Sequence, residues 1–148
     1  MHLSVVATET PHKTAVVLDN TRVSYGALDA ASRRIAVSSR HSGLSRGDVM
    51  GVMMSTGPEA VAAIAAGQRS GLYCLPLGPK LTASELKYIL EDSGAKLLIT
   101  DSENEDKVFA AALGIPGLIV TSIANIDHLF KLEDCPLDPD PVEGGDIL

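Results

Sequence analysis

The best candidate for a phosphate-binding loop is Ser55-Thr56-Gly57, which separates an apolar run from an alanine-rich segment. If the run is a strand and the segment a helix, the loop lies at a helix N-terminus, where free N–H groups and the helix dipole attract anions. No Lys follows the loop, and Glu59 completes a Thr56-x-x-Glu59 capping box that already places negative charge there. We therefore interpret the loop as a capped helix start, with an anion site as the weaker alternative.

Acidic side chains cluster after the next apolar run. Glu103, Glu105 and Asp106 could form a metal cup, but their position in the first turn of a helix beginning near Ser102 is explained by capping and the helix dipole. Asp101 follows a strand-like run, as a receiver-domain phosphoacceptor would, yet the companion acidic pair after the first strand is missing. Neither group is predicted to be a site.

Histidines and cysteines give no further candidate. His2, His12, His41 and His128 are far apart in sequence and lie in no hydrolase or transferase pattern, and the two cysteines, at positions 74 and 135, form no Cys-x-x-Cys pair. Gly-x-Gly-x-x-Gly and Walker-type signatures are both missing from the sequence. The sequence therefore predicts no catalytic, cofactor-binding or metal-binding residue.

The elements that would position these residues follow from hydrophobic periodicity. Two short strands around Asp19-Asn20 suggest a hairpin, and Ser24 is the expected N-cap of a helix that ends near Gly43. After that, apolar runs of strand length alternate with amphipathic helices. The predicted strands cover residues 49–54, 72–77, 96–100 and 118–121, and the helices between them begin near Thr56, Thr82 and Ser102. Thr82-x-x-Glu85 and Ser102-x-x-Glu105 are further capping boxes.

This alternation predicts an α/β fold, with a mainly parallel sheet covered by helices on both faces. Residues 1–132 are expected to form this α/β unit. Residues 133–148, which are acidic and rich in Pro and Gly, are expected to form an extended tail.

Composition excludes several classes of function. The chain has 148 residues, 45% of them apolar, which is enough for one globular core. Six of the 19 acidic residues follow Lys131, and the remaining 13 are nearly balanced by 12 basic residues, which are mostly isolated. Nucleic-acid binding is not expected without clustered cations. We expect no signal peptide and no membrane span, and the sparse cysteines indicate a reduced, cytoplasmic compartment.

Several short motifs resemble, in order and spacing, the opening of adenylate-forming (AMP-binding) enzymes, the superfamily of acyl-CoA synthetases, luciferases and peptide-synthetase adenylation domains. The resemblance covers roughly residues 11–100. Its main pieces are Thr14-Ala15-Val16-Val17, Ser24-Tyr25-Gly26-Ala27-Leu28, Gly43-Leu44-Ser45-Arg46-Gly47-Asp48-Val49, Ser70-Gly71-Leu72-Tyr73-Cys74-Leu75-Pro76-Leu77 and Leu81-Thr82-x-x-Glu85-Leu86-x-Tyr88-Ile89-Leu90. Ser55-Thr56-Gly57 and Gly78-Pro79-Lys80 depart from the Pro-Asn and Asn-Pro usual in the family.

The resemblance implies an N-terminal, incomplete subdomain of an acyl-CoA ligase, and the resemblance to fatty-acyl-CoA synthetases suggests a fatty acid as the substrate. In this family a Ser/Thr/Gly-rich phosphate loop usually follows an acidic linker, and residues 143–148 look like that approach. ATP, Mg²⁺ and CoA are implied for the complete enzyme, but no family catalytic residue can be assigned here, and no adenylation is expected from this chain alone.

Two other hypotheses stay open at this stage. The chain could be a truncated or degenerate protein that acts as a non-catalytic interaction module, because an incomplete sheet leaves an exposed edge through which it could also self-associate. It could also be a receiver-like or flavodoxin-like binder of small molecules, in which case the family resemblance would be coincidental.

Overall fold

The computed structural model describes residues 2–136. Helix α1 (Leu3–Glu9) precedes an antiparallel hairpin of β1 (Thr14–Leu18) and β2 (Thr21–Ser24). Seven further helices and strands alternate before two last elements. They are α2 (Tyr25–His41), β3 (Val49–Met53), α3 (Pro58–Arg69), β4 (Tyr73–Pro76), α4 (Ala83–Ser93), β5 (Leu97–Thr100), α5 (Glu105–Ala112), β6 (Ile119–Ser122) and a 3-10 turn (Ile123–Asn125).

The main sheet has four parallel strands in the order β4-β3-β5-β6. Its strands are short and almost wholly apolar because both faces are covered. Met50, Val52 and Ile99 point into a core shared with α2 and α3, whereas Met53 and Leu98 point into a second core shared with α4 and α5. The α/β fold with helices on both faces of a parallel sheet is thus confirmed.

Helix starts agree with the sequence at two places and differ at two others. Ser24 caps α2 by accepting from the Ala27 N–H at 3.2 Å, and Thr82 and Glu85 form the predicted capping box of α4. The box predicted at Thr56 is wrong, because α3 begins one residue later, with Gly57 as the N-cap and Pro58 in the first turn.

The capping box predicted at Ser102 is also wrong. Helix α5 begins after Asn104, and Asp101 Oδ1 accepts from the Asn104 N–H at 3.0 Å. Asp101 thus bonds the N–H of the N-cap residue itself, and the N-cap side chain makes no capping bond to α5. Helix α1 is an element that the sequence patterns did not predict.

The division into residues 1–132 and a tail of residues 133–148 stays a prediction. Residues 133–136 continue a turn that lies against α2, and the rest of the predicted tail lies outside the described residues. Among residues 2–136, no helix is both long enough and apolar enough to cross a lipid bilayer.

Candidate functional site

A crevice opens at the carboxyl ends of β3 and β5. The chain leaves β3 towards α3 on one face of the sheet and leaves β5 towards α5 on the opposite face, so the two loops diverge. In open parallel sheets, ligands bind at such points, where the strand order reverses. The crevice has a volume of about 290 Å³. Its lining residues are Leu18, Met54, Ser55, Thr56, Gly57, Glu59, Asp101, Ser102, Glu103, Ile123 and Ala124.

Asp101 ties the two loops together. Its Oδ2 accepts from the Ser55 N–H at 2.6 Å, while its Oδ1 accepts from the Asn104 side-chain amide at 2.7 Å as well as from the Asn104 N–H. Partial burial raises the pKa of Asp101, but these hydrogen bonds outweigh it and hold the pKa below its usual value. The carboxylate is therefore ionised at neutral pH, and both of its oxygens are occupied.

A second link crosses the crevice beside the first. The Ser55 hydroxyl donates to Glu103 Oε2 at 2.7 Å. Glu59 lies in the first turn of α3, and Glu105 with Asp106 lies in the first turn of α5, so both helix N-termini bordering the crevice already have carboxylates. None of the residues that line the crevice in the described part of the chain is a Lys or Arg.

This electrostatic arrangement disfavours a phosphate group at Ser55-Thr56-Gly57. The Ser55 N–H, which an anion would need, already donates to Asp101. Carboxylates surround the loop, and they would repel the negative charge of a phosphate. The Asp101 carboxylate holds the loops after β3 and β5 together. The sequence alone did not predict this role, because Ser55 is 46 residues away from Asp101.

The carboxylates that follow β5 in the sequence do not point to a common centre. Glu103 is directed to Ser55, whereas Glu105 and Asp106 belong to α5. Within residues 2–136, no group of three or more His, Cys, Asp or Glu side chains is placed to hold a metal ion. Of the four histidines, His12, His41 and His128 are exposed, and His2 shares a 2.8 Å hydrogen bond with the Ser4 hydroxyl.

The two cysteines are unpaired and poorly suited to be nucleophiles. Burial raises the pKa of Cys74 to about 11, so its thiol stays protonated at neutral pH. Burial also raises the pKa of Cys135, although Arg33 and Arg34 partly oppose the shift.

Sequence reasoning missed one buried polar group, the Asp29–Arg69 pair between α2 and α3. Asp29 Oδ1 accepts from Arg69 Nη2, and its Oδ2 accepts from Arg33 Nε at 2.9 Å. The Asp29-x-x-x-Arg33 spacing was a visible signal for the second contact. No local signal links Asp29 to Arg69, because the two helices meet only in the folded protein.

Comparison with known proteins identifies relatives that match most of the chain. The AMP-binding enzyme family matches residues 3–140. A naringenin synthase of Pestalotiopsis fici is 31% identical over 86% of this chain, which spans 5% of that protein. A non-canonical nonribosomal peptide synthetase of Aspergillus campestris is 32% identical over 69% of this chain, which spans 10% of that protein.

Two solved structures extend the comparison to three dimensions. The O-succinylbenzoate-CoA synthetase of Bacillus subtilis in complex with AMP has a TM-score of 0.74 and 28% identity, with 84% of this chain matched to 31% of that one. A Mycobacterium tuberculosis fatty acyl-CoA synthetase has a TM-score of 0.82 and 22% identity, with 97% of this chain matched to 30% of that one. At that identity, the second likeness shows the fold alone. The chain spans about a third or less of each of these four proteins.

Proposed function

This chain belongs to the AMP-binding enzyme family, and from that premise we propose that it is the N-terminal scaffold of an enzyme that activates a carboxylic acid with ATP. In the reaction, a carboxylate oxygen attacks the α-phosphorus of ATP, forming an acyl-adenylate and releasing pyrophosphate. The thiol of CoA then attacks the acyl carbonyl and displaces AMP. ATP, Mg²⁺, CoA and the acid are the substrates and cofactors proposed for the complete enzyme.

The observation that carries this proposal is the family match over nearly the whole chain. The likeness to an AMP-bound CoA synthetase agrees with it in both sequence and fold. A non-catalytic interaction module was the alternative, and these matches do not favour it.

The role of scaffold follows from the electrostatics of the crevice. Adenylyl transfer requires cations and N–H groups aimed at the phosphates. The described lining of the crevice instead contributes Glu59, Asp101 and Glu103, and Asp101 already occupies the Ser55 N–H. We therefore propose that residues outside this chain bind the phosphates, and that the Asp101 link fixes the edge of the sheet on which they are built.

The proposed acid is a fatty acid or another carboxylic acid. We propose more specifically that the enzyme forms a fatty-acyl-CoA. This needs a separate test, since the similar proteins include an O-succinylbenzoate-CoA synthetase and a nonribosomal peptide synthetase. A substrate panel must therefore contain fatty, aromatic and amino acids. We also propose a cytoplasmic location, which suits a chain with two unpaired cysteines.

The test is ATP–pyrophosphate exchange with that panel. It is run on the 148-residue chain and on the same chain joined to the remaining two thirds of an AMP-binding enzyme, either from its own reading frame or from the B. subtilis synthetase. We expect acid-dependent exchange only in the longer protein. Exchange by the short chain would contradict the scaffold role, and no exchange by a folded longer protein would contradict the proposed activity.

Self-association through the sheet edge is a further proposal. Strand β4 ends in Pro76, which has no N–H to donate, so β6 is the more suitable edge. The Ile119 N–H donates to the Lys96 carbonyl in the direction of β5, and alternation therefore turns the Val120 N–H outwards. Val120→Pro should abolish a dimer seen by light scattering, whereas a strict monomer of the unsubstituted chain at high concentration would exclude self-association.

A further inference from the structure

Residues 126–136, here called the strap, follow the last 3-10 turn and lie along α2. Arg34 of α2 holds this segment by its backbone. Arg34 Nη1 donates to the carbonyls of Leu129 at 3.0 Å and Lys131 at 2.6 Å, and Nη2 donates to the carbonyl of Glu133 at 2.8 Å. One guanidinium therefore satisfies three alternate carbonyls of a segment that has no strand partner among residues 2–136.

Packing brings the strap close enough for these bonds. Ile126, Leu129 and Phe130 pack against the α2/α3 core. Leu132 lies over Gly26, where an added Cβ would come within 3.1 Å of Leu132 Cδ2. The lack of a side chain at Gly26 thus lets the strap approach the first turn of α2.

Three carbonyl acceptors along one segment suit an arginine better than a lysine. The guanidinium carries five donors in a rigid planar fork, whereas a lysine ammonium is a point charge with three donors on a flexible stem. The adjacent Arg33 has a different task, since its Nε bonds Asp29. The two neighbouring arginines therefore serve different contacts, one with the strap and one within the helix layer.

We propose that Arg34 is a positioning residue that anchors the strap to α2 and so fixes the place of residues 129–133 against the α2/α3 layer. The anchoring is independent of the proposed function. Its value to catalysis rests on that function, because the residues that would bind ATP are proposed to follow the strap.

Limited trypsin digestion of the full 148-residue chain tests the anchor directly, because the carbonyl of the Lys131–Leu132 bond is one that Arg34 holds. The variants are Arg34→Gln and Arg34→Lys, with Arg33→Gln as the matched control on the same helix. Each rate of cleavage after Lys131 is divided by the rate after Arg46, whose position lies outside the strap, so that general unfolding cancels.

We expect Arg34→Gln to raise this ratio at least about tenfold, since proteolysis follows the population of the locally open form and three hydrogen bonds to a charged donor are lost. Arg34→Lys should give an intermediate ratio, and it also serves as the test if the glutamine variant does not fold. Arg33→Gln should leave the ratio unchanged. An unchanged ratio in both Arg34 variants, or an equal rise in Arg33→Gln, would overturn the proposal.

An activity measurement separates this inference from the proposed function. In the longer protein, Arg34→Lys should lower pyrophosphate exchange through kcat more than through the KM for ATP, while Arg33→Lys should not. If the longer protein shows no exchange at all, the proposed function fails while the digestion result still decides the anchor. If the strap is released but exchange is unaffected, Arg34 holds the segment without positioning the reaction.

Discussion

The two faces of the four-stranded sheet are covered in different ways. Between the sheet and the α2/α3 layer the buried helix residues are mostly small, and the Asp29–Arg69 pair is buried between the two helices. Between the sheet and the α4/α5 layer they include Leu86, Leu90 and Val108. The small residues of the first layer are Ala31, Ala36, Ala62, Ala63, Ala66 and Gly67.

The two helix layers therefore differ in how well they can accommodate an added atom in the core. Small side chains bring helix and strand backbones close together, so an added atom meets groups that have little room to move. The longer leucine side chains can change rotamer, so they can make room for an atom added next to them. We therefore expect substitutions in the α2/α3 layer to be more destabilising than equivalent ones in the α4/α5 layer.

The largest effect is expected from Asp29→Ala. Asp29 is the carboxylate partner of Arg69, whose side chain is only 2% exposed, and removing it leaves a buried guanidinium without that counter-charge. Breaking one partner of a buried ion pair costs about 3–5 kcal/mol. Urea unfolding measures the loss of stability, and Asp92→Ala, at an exposed position of α4, is the control. A loss no greater than that of the control would contradict the importance of the pair.

Gly67→Ala is expected to be the next most severe. An added Cβ would lie 2.0 Å from Cys74 Sγ and 3.1 Å from Met50 Cε, so the helix or the strand must shift. Overpacking of this kind costs about 1–3 kcal/mol. The double variant Gly67→Ala/Cys74→Ala should recover most of the stability, because the sulfur is gone. Failure of the second substitution to rescue the first would show that another contact is responsible.

Gly51→Ala probes the other face and should cost less. Its added Cβ would lie 2.9 Å from Leu98 Cδ1, the end of a rotatable side chain. The loss of glycine's freedom in the unfolded chain offsets the crowding by about 0.4–1 kcal/mol, so we expect a net cost of about 1 kcal/mol or less. A cost equal to that of Gly67→Ala, by the same urea titration, would remove the distinction between the faces.

The smallest effect is expected from Asp101→Asn, at the edge of the sheet where Asp101 joins the loops after β3 and β5. The pKa of Asp101 in the folded protein is below its ordinary value of 3.8, so the stabilising effect of the carboxylate is full above pH 3.8 and is lost as the pH falls through the lower folded pKa. Asp101→Asn should therefore be less stable than the parent at pH 6. The difference should shrink below pH 3.8. A difference that is constant from pH 6 to pH 3 would show that the charge of Asp101 does not matter.

The sequence was sufficient for the elements whose signals are local. The alternation of apolar runs and amphipathic segments predicted the parallel sheet, and Ser24 and Thr82 were found as helix caps because cap and helix are adjacent. Local patterns failed at Thr56 and Ser102. There, Pro58 in the first turn of α3 and the Asp101–Asn104 bonds determine the helix starts.

Contacts between distant residues could not be predicted from one sequence. The Asp101–Ser55 link joins two loops 46 residues apart, and Arg34 reaches carbonyls 95 to 99 residues away. Such pairs depend on the order of strands in the sheet and on the path of the strap, for which no spacing rule exists. The family resemblance predicted the fold and no site, because its motifs are helices, strands and turns of the scaffold.

The most direct test of the scaffold role is a titration of the isotopically labelled 148-residue chain with AMP and Mg²⁺, followed by amide chemical shifts. We predict no saturable shift at Ser55, Thr56, Asp101 or Glu103, because carboxylates line the crevice and the Ser55 N–H is already bonded. A saturable shift of these amides would contradict the account, since it would place the nucleotide in the crevice of this chain.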